Sequence, residues 1–243
     1  MSLLKRHWLV AILALVFVAP ALAEEPKKDA KPNDAVVPAP RDGRSMERHE
    51  KFNARVKKGN VDLLLIGDSI TEGWEGSGAK VWKEFYEKRN AVNLGIGGDR
   101  TQHVLWRLDN GNVDGIQPKL AVLMIGTNNS RSNTSEQIAE GVKAIVEKLH
   151  TKLPETKVLV LAIFPRGKDN EDKDRKVNAG ANEIIAKLAD DKGVFYLDIG
   201  DKFLDASGNL SKEVMPDLLH LNEKSYRTWA EATEESVKKL MGE

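Results

Sequence analysis

Val61-Asp62-Leu63-Leu64-Leu65-Ile66-Gly67-Asp68-Ser69-Ile70 decides how the chain is read. The first six residues are a short, apolar, β-compatible run, which predicts a buried strand. The small tetrapeptide Gly67 to Ile70 then turns the chain at the strand's C-terminal end. In open α/β sheets, ligands bind at that end. A serine there is a candidate nucleophile, provided a base can reach it. Alone, Gly-Asp-Ser is also ordinary turn chemistry, so the rest of the chain has to supply the base and the fold.

Outward from this run, strands and helices alternate. Ser45 to Lys58 is a charged stretch with Met46, His49, Phe52 and Val56 at helical spacing, which predicts a surface helix packing its apolar stripe on the domain. Val81 to Lys88 reads as a helix, Ala91 to Leu94 as a strand, and Thr101 to Leu108 as a helix. Leu120 to Ile125 is apolar throughout, as expected of a strand covered on both faces. The next helix begins near Thr134, where Thr134 and Gln137 match a capping box, and carries Ile138, Val142, Ile145 and Leu149 on one face. Val158 to Ile163 is a strand stopped by Pro165. Lys176 to Leu188 is a helix, Val194 to Leu197 the fifth strand, and Glu223 to Leu240 the last helix. No tight hairpin joins two strands. The pattern therefore predicts an α/β fold: a five-stranded parallel sheet with helices on both faces and its strand-end loops on one edge.

The beginning of the chain reads differently. Lys5 and Arg6 precede the apolar run Trp8 to Val18, and Ala21-Leu22-Ala23 fits a small-x-small cleavage pattern. Residues 1–23 are expected to be a secretory signal peptide, an uncleaved anchor being the alternative. Residues 24–42, rich in Pro, Lys, Ala and Asp, are expected to be a flexible linker. Residues 43–243 are then one domain, large enough for a full core. The 243-residue chain has no cysteine, which excludes a disulfide framework and a lipidated cysteine. Lys and Arg number 37 and so do Asp and Glu; without Lys5 and Arg6 the balance is about −2. Nucleic acid is not expected as a partner, and no other stretch is apolar enough to span a membrane.

Four segments meet at the loop edge of such a sheet: Gly67 to Ile70, Gly95 to Asp99, Gly126 to Asn129, and the loop holding Asp217-Leu218-Leu219-His220. Each has a residue type that ester hydrolysis needs. Ser69 would attack an acyl carbon once a base takes its proton. His220 suits that task, because imidazole titrates near neutral pH. Asp217 can orient the ring and stabilise the imidazolium. The backbone N–H groups of Ser69 and Gly98, with the Asn128 amide, could form an oxyanion hole. The simpler readings are local. Gly95-Ile96-Gly97-Gly98 could be a tight turn, and it fails as a dinucleotide fingerprint because the third glycine would fall at Arg100. Asn128-Asn129 could be a loop with left-handed backbone, and Asp217 with His220 a surface pair. His49 and His150 are treated as surface residues; His103, close behind the second glycine loop, could line the pocket, with packing in or near the core the simpler reading. The spacing offers no metal cluster.

Together and in this order, the four blocks resemble the SGNH (GDSL-type) hydrolase family, over about Val61 to Leu240. The run Asn93 to Leu108, Gly126 to Asn129 and Phe164-Pro165-Arg166-Gly167 are similar to the catalytic subunits of platelet-activating-factor acetylhydrolases. The resemblance implies a three-layer αβα, flavodoxin-like fold and a serine esterase that needs no cofactor. It assigns Ser69, Asp217 and His220 as the triad, with the Ser69 amide, Gly98 and Asn128 as the oxyanion hole. It also implies a short-acyl preference. Ile70 departs from the family's name-giving leucine, a change that concerns packing only. The expected signal peptide puts the chain in a secreted or periplasmic setting, where the named relatives' substrate need not occur.

The leading expectation is a secreted serine esterase acting on short acyl, above all acetyl, esters of a small molecule or a glycan. A lysophospholipase or thioesterase would use the same residues but need a deep apolar groove. An inactive carbohydrate-binding module would show decay of a triad position, and none is decayed. A homodimer is the one protein assembly carried forward.

Overall fold

The structure is a computed structural model that describes residues 32–243. The expected signal peptide and residues 24–31 of the expected linker lie outside them. From Asn33 to Glu243 the chain forms one compact unit. Five parallel strands, β1 (Leu63–Gly67), β2 (Ala91–Gly95), β3 (Leu120–Met124), β4 (Lys157–Leu161) and β5 (Val194–Leu197), make one sheet in the order β2-β1-β3-β4-β5. This is the flavodoxin-like doubly wound order. The central strands β1 and β3 are apolar and buried throughout because helices cover both their faces, whereas the edge strand β5 is only partly buried.

Alternation within each strand sends side chains to two cores. Leu64 and Ile66 of β1 pack with α1 (Gly43–Val56), α4 (Thr101–Asp109), α5 (Ser135–Lys152) and α6 (Lys173–Ile185). Leu63 and Leu65 point the other way, toward α3 (Ala79–Phe85) and α7 (Glu223–Met241). Local signals place the ends. The capping box forms: Thr134 Oγ1 accepts from the Gln137 N–H at 3.3 Å and Gln137 Oε1 from the Thr134 N–H at 3.1 Å. Asn222 caps α7 by accepting from the Ser225 N–H at 3.0 Å.

One short helix, α2 (Ser69–Glu72), has no counterpart in the sequence reading. It begins on the serine itself, two residues after β1 ends. Gly67 makes this possible: a Cβ there would stand 2.1 Å from Thr71 Oγ1 and 2.5 Å from the Met124 carbonyl oxygen, both far inside contact distance.

Three expectations are corrected. The described part of the 24–42 stretch is not a free linker. Ala35 is fully buried, and its carbonyl accepts from Thr101 Oγ1 at 2.7 Å. Asn33 Nδ2 donates to Glu140 at 2.7 Å, and the Ala39 N–H to the Gln102 carbonyl at 3.1 Å. The segment is polar and lacks periodicity, yet it is held by hydrogen bonds across α4 and α5. His49, treated as a surface residue, is buried on the inner stripe of α1, where Asn53 and Asn112 hydrogen-bond its ring nitrogens at 3.1 and 3.0 Å. Its ring lies 5.0 Å from that of Trp106. His150 is half-buried rather than a surface residue, and its Nε2 is enclosed without a hydrogen-bond partner.

Candidate active site

The register aligns Gly67 with Gly95 on one side and with Met124 on the other. Three strands therefore end at one level, and the loops after them emerge side by side. This places Ser69, Gly98 and Asn128 together, although they are remote in sequence. The fourth segment reaches the same edge from the long connection before α7.

Ser69 Oγ lies 2.9 Å from His220 Nε2, and His220 Nδ1 lies 2.6 Å from Asp217 Oδ2. Both are hydrogen-bond distances. The Asp217 carboxylate organises its own turn, its Oδ1 accepting from the amides of Leu219 at 3.1 Å and His220 at 2.7 Å. Leu218 sits in the left-handed region at φ 60°, and its carbonyl accepts from the Gly167 N–H at 2.9 Å. Partial burial pushes the Asp217 carboxyl up, but hydrogen bonds from the His220 ring and backbone outweigh that and hold it below the usual carboxylate range. It is therefore ionised at neutral pH, as an imidazolium partner requires.

Ser69 opens α2, where the first N–H groups have no helical acceptor. Asp68, the N-cap, accepts from the Ile70 N–H at 3.0 Å. Among the described residues, the Ser69 and Gly98 amides have no acceptor. Asn128 Nδ2 donates one hydrogen to the Asp99 carbonyl at 2.9 Å, which leaves its second uncommitted. Its neighbour Asn129 does something different: it is fully buried and ties the β3 loop to the start of α4, accepting from the Thr101 N–H at 3.0 Å.

The structure brings together Ser69, Asp217, His220, Gly98 and Asn128. Sequence reasoning passed over a polar frame around the second glycine loop. Glu72 Oε2 accepts from the Gly97 N–H at 2.6 Å, and Glu72 also pairs with Arg44. Asp99 is buried between Arg107 Nε at 2.9 Å and Arg41 Nη1 at 3.0 Å. An acidic residue directly after two glycines was the available signal for Asp99; Arg41 and Glu72 had none. His103 accepts from the Arg100 N–H through Nδ1 at 3.0 Å. Burial lowers its pKa to about 4, with Asp99 opposing, so it is neutral and already engaged at neutral pH. Among the described residues no group of acidic or histidine side chains could hold a metal.

The GDSL-like lipase/acylhydrolase family matches residues 65–228. The chain belongs to this family. It is an ester hydrolase, as the family's members are. The human platelet-activating factor acetylhydrolase IB subunit alpha1 is 36% identical over 203 residues, covering 83% of this chain and 86% of the relative. Among solved structures, a GDSL-like lipase from Bacteroides thetaiotaomicron superposes with a TM-score of 0.61 at 18% identity, over 79% of this chain and 97% of its own. A carbohydrate acetylesterase family member from Sinorhizobium meliloti gives 0.58 at 16% identity, over 75% and 100%. At these identities the two structures speak for the fold alone.

Proposed function

We propose that this family member is a secreted serine esterase that removes short acyl groups, chiefly acetyl, from alcohols of sugar size or larger. The observation that carries the mechanism is the unbroken relay from Asp217 through His220 to Ser69, at 2.6 and 2.9 Å. Ser69 Oγ attacks the acyl carbon while His220 Nε2 takes its proton. The carbonyl electron pair moves onto oxygen, which the amides of Ser69 and Gly98 and the free hydrogen of Asn128 receive. The intermediate collapses, the C–O bond to the alcohol breaks, and His220 returns the proton to the leaving oxygen. Water then attacks the acyl-serine with His220 again as base, releasing the carboxylic acid and restoring Ser69.

Accessibility supports the substrate reading. The side chains of His220 and Asp217 are 43% and 56% exposed, so a bulky alcohol portion can approach. A long acyl chain would want an enclosed apolar channel beside the serine, whereas the neighbours on the glycine-loop side are Arg41, Arg44 and Glu72. The acetylhydrolase name of the relative agrees with a short acyl group. Secretion is supported by the charged, apolar and small-residue pattern of residues 1–23.

The test is a hydrolysis series of aryl esters of increasing acyl length and an acetylated polysaccharide, with Ser69→Ala alongside. Turnover is expected to be greatest for acetyl, and to fall by at least about 10³-fold in the variant, with an unchanged melting temperature. Equal turnover by Ser69→Ala would refute the mechanism, and a preference for long chains would refute the substrate class.

A further inference from the structure

The second glycine loop is a β-turn. The Asp99 N–H donates to the Ile96 carbonyl at 3.1 Å, and Gly98, its third residue, has φ +78°. These are the marks of a type II turn. Types I and II differ mainly in a flip of the central peptide, here the bond between Gly97 and Gly98. That bond is trans, so the Gly97 carbonyl and the Gly98 N–H point in opposite directions. Whatever holds one aims the other. Two successive glycines oppose the flip only weakly, because neither has a Cβ to restrict it. An oxyanion donor on this peptide needs a lock from outside the turn.

Arg41 has the geometry of that lock. Its Nη1 donates to the Gly97 carbonyl at 2.7 Å and to Asp99 Oδ1 at 3.0 Å. The guanidinium lies so close to the turn that a Cβ on Gly98 would meet Arg41 Nη2 at 3.3 Å. On the other side of Gly97, Glu72 holds the N–H. Arg41 is itself delivered by the hydrogen-bonded segment beginning at Asn33, with Ala39 fixed to Gln102 two residues earlier. Asp99 has a second partner besides Arg41, its Oδ2 lying 2.9 Å from Arg107 Nε. The Arg41 side chain is 32% exposed whereas Asp99 is buried, so loss of Arg41 also has a stability cost, and each variant's folding is measured beside its kinetics.

We propose that Arg41 is a positioning residue for the oxyanion hole: its hydrogen bond to the Gly97 carbonyl keeps the 97–98 peptide in the orientation that presents the Gly98 N–H to the substrate oxygen. The inference rests on the serine esterase reading. It makes the N-terminal segment part of the catalytic apparatus although none of its atoms touches the reacting bond.

The test compares wild type, Arg41→Ala, Arg41→Met and Arg41→Lys on an aryl acetate. It also measures their affinity for an aryl trifluoromethyl ketone, whose hemiketal with Ser69 places an oxyanion in the hole. Arg41→Ala and Arg41→Met are expected to lose about 10- to 100-fold in kcat, with KM within about 2-fold of wild type. The ketone should bind more weakly by a similar factor, and Arg41→Lys should recover part of both. Arg41→Met keeps the aliphatic packing and decides the matter if Arg41→Ala does not fold. Wild-type kcat and ketone affinity in a folded Ala or Met variant overturn the proposal. So does a loss of active protein with unchanged ketone affinity per site, which marks a purely structural role. The controls separate the two claims: a wild type that turns over no ester defeats the esterase reading, whereas an active wild type with indifferent Arg41 variants defeats only this inference.

Discussion

Among single residues, Asp68 shows most plainly how burial sets chemistry at this site. It is fully buried beside Ser69; one carboxyl oxygen caps the Ile70 amide and the other has no hydrogen-bond partner. Burial raises its pKa from 3.8 to about 7, opposed by the Ile70 amide and reinforced by Asp99. The sign follows from linkage. Between about pH 4 and 7 the folded state holds this proton more tightly than the unfolded chain does. Its contribution is present below the unfolded pKa and is lost as pH rises through the folded one. Asp68→Asn keeps the acceptor for Ile70 and cannot ionise. The variant should therefore gain on wild type as pH rises, by on the order of 2–4 kcal/mol across that window. Urea unfolding at pH 5 and pH 8 checks this; a wild-type-to-variant difference that does not change with pH contradicts it.

At the scale of elements, the loops rather than the strands carry the specificity of the arrangement. Gly98 is the sharpest case, because its positive φ and the Arg41 guanidinium both oppose a side chain. Gly98→Ala should cost only about 1–2 kcal/mol of stability, the usual penalty for an L-residue in left-handed backbone. The same change should lower kcat by at least about 10-fold, because displacing Arg41 or flipping the peptide misaims the proposed oxyanion donor, the Gly98 N–H. Paired melting and kinetic measurements separate the two effects, and kcat preserved at full stability would show that the turn tolerates a methyl. The loop of Asp217 and His220 shows why spacing alone was informative here. The three-residue separation lets the carboxylate accept from the backbone and the ring of the same histidine, so the pair is built locally.

Across the whole molecule, the site rests on an aromatic cluster beneath α2. Trp74 is 1% exposed, with ring centroids of Tyr226 at 4.6 Å, Trp229 at 5.0 Å and Tyr86 at 5.1 Å. Tyr226 extends the support by donating to the Ile70 carbonyl at 2.6 Å. The last helix is thereby tied to the residue after Ser69, 156 residues away in sequence. Trp74→Ala should cost about 3–5 kcal/mol, the range for deleting a large aromatic from a core. Denaturant unfolding would show it as a lower midpoint with an unchanged slope; a loss below about 1 kcal/mol would mean the cluster closes over the gap.

What the amino-acid order determined by itself is local or periodic. Apolar runs marked the strands, most plainly β1 and β3, which are buried throughout because a doubly covered parallel sheet leaves no polar face, and Thr134 with Gln137 marked the start of a helix because a cap is a short-range bond. Asp217 and His220 were legible as a pair for the same reason. The tertiary structure alone decided which remote residues complete the site. No periodicity announces that residues 33–41 are pinned by hydrogen bonds, since their polar composition is also that of a solvated linker. His49, flanked by charged Arg48 and Glu50, shows its burial only once Asn53 and Asn112 satisfy its ring. Arg41 meets Gly97 56 residues away in sequence. Such a contact depends on where the sheet edge places both ends of the chain between them, and that placement is a property of the packed fold.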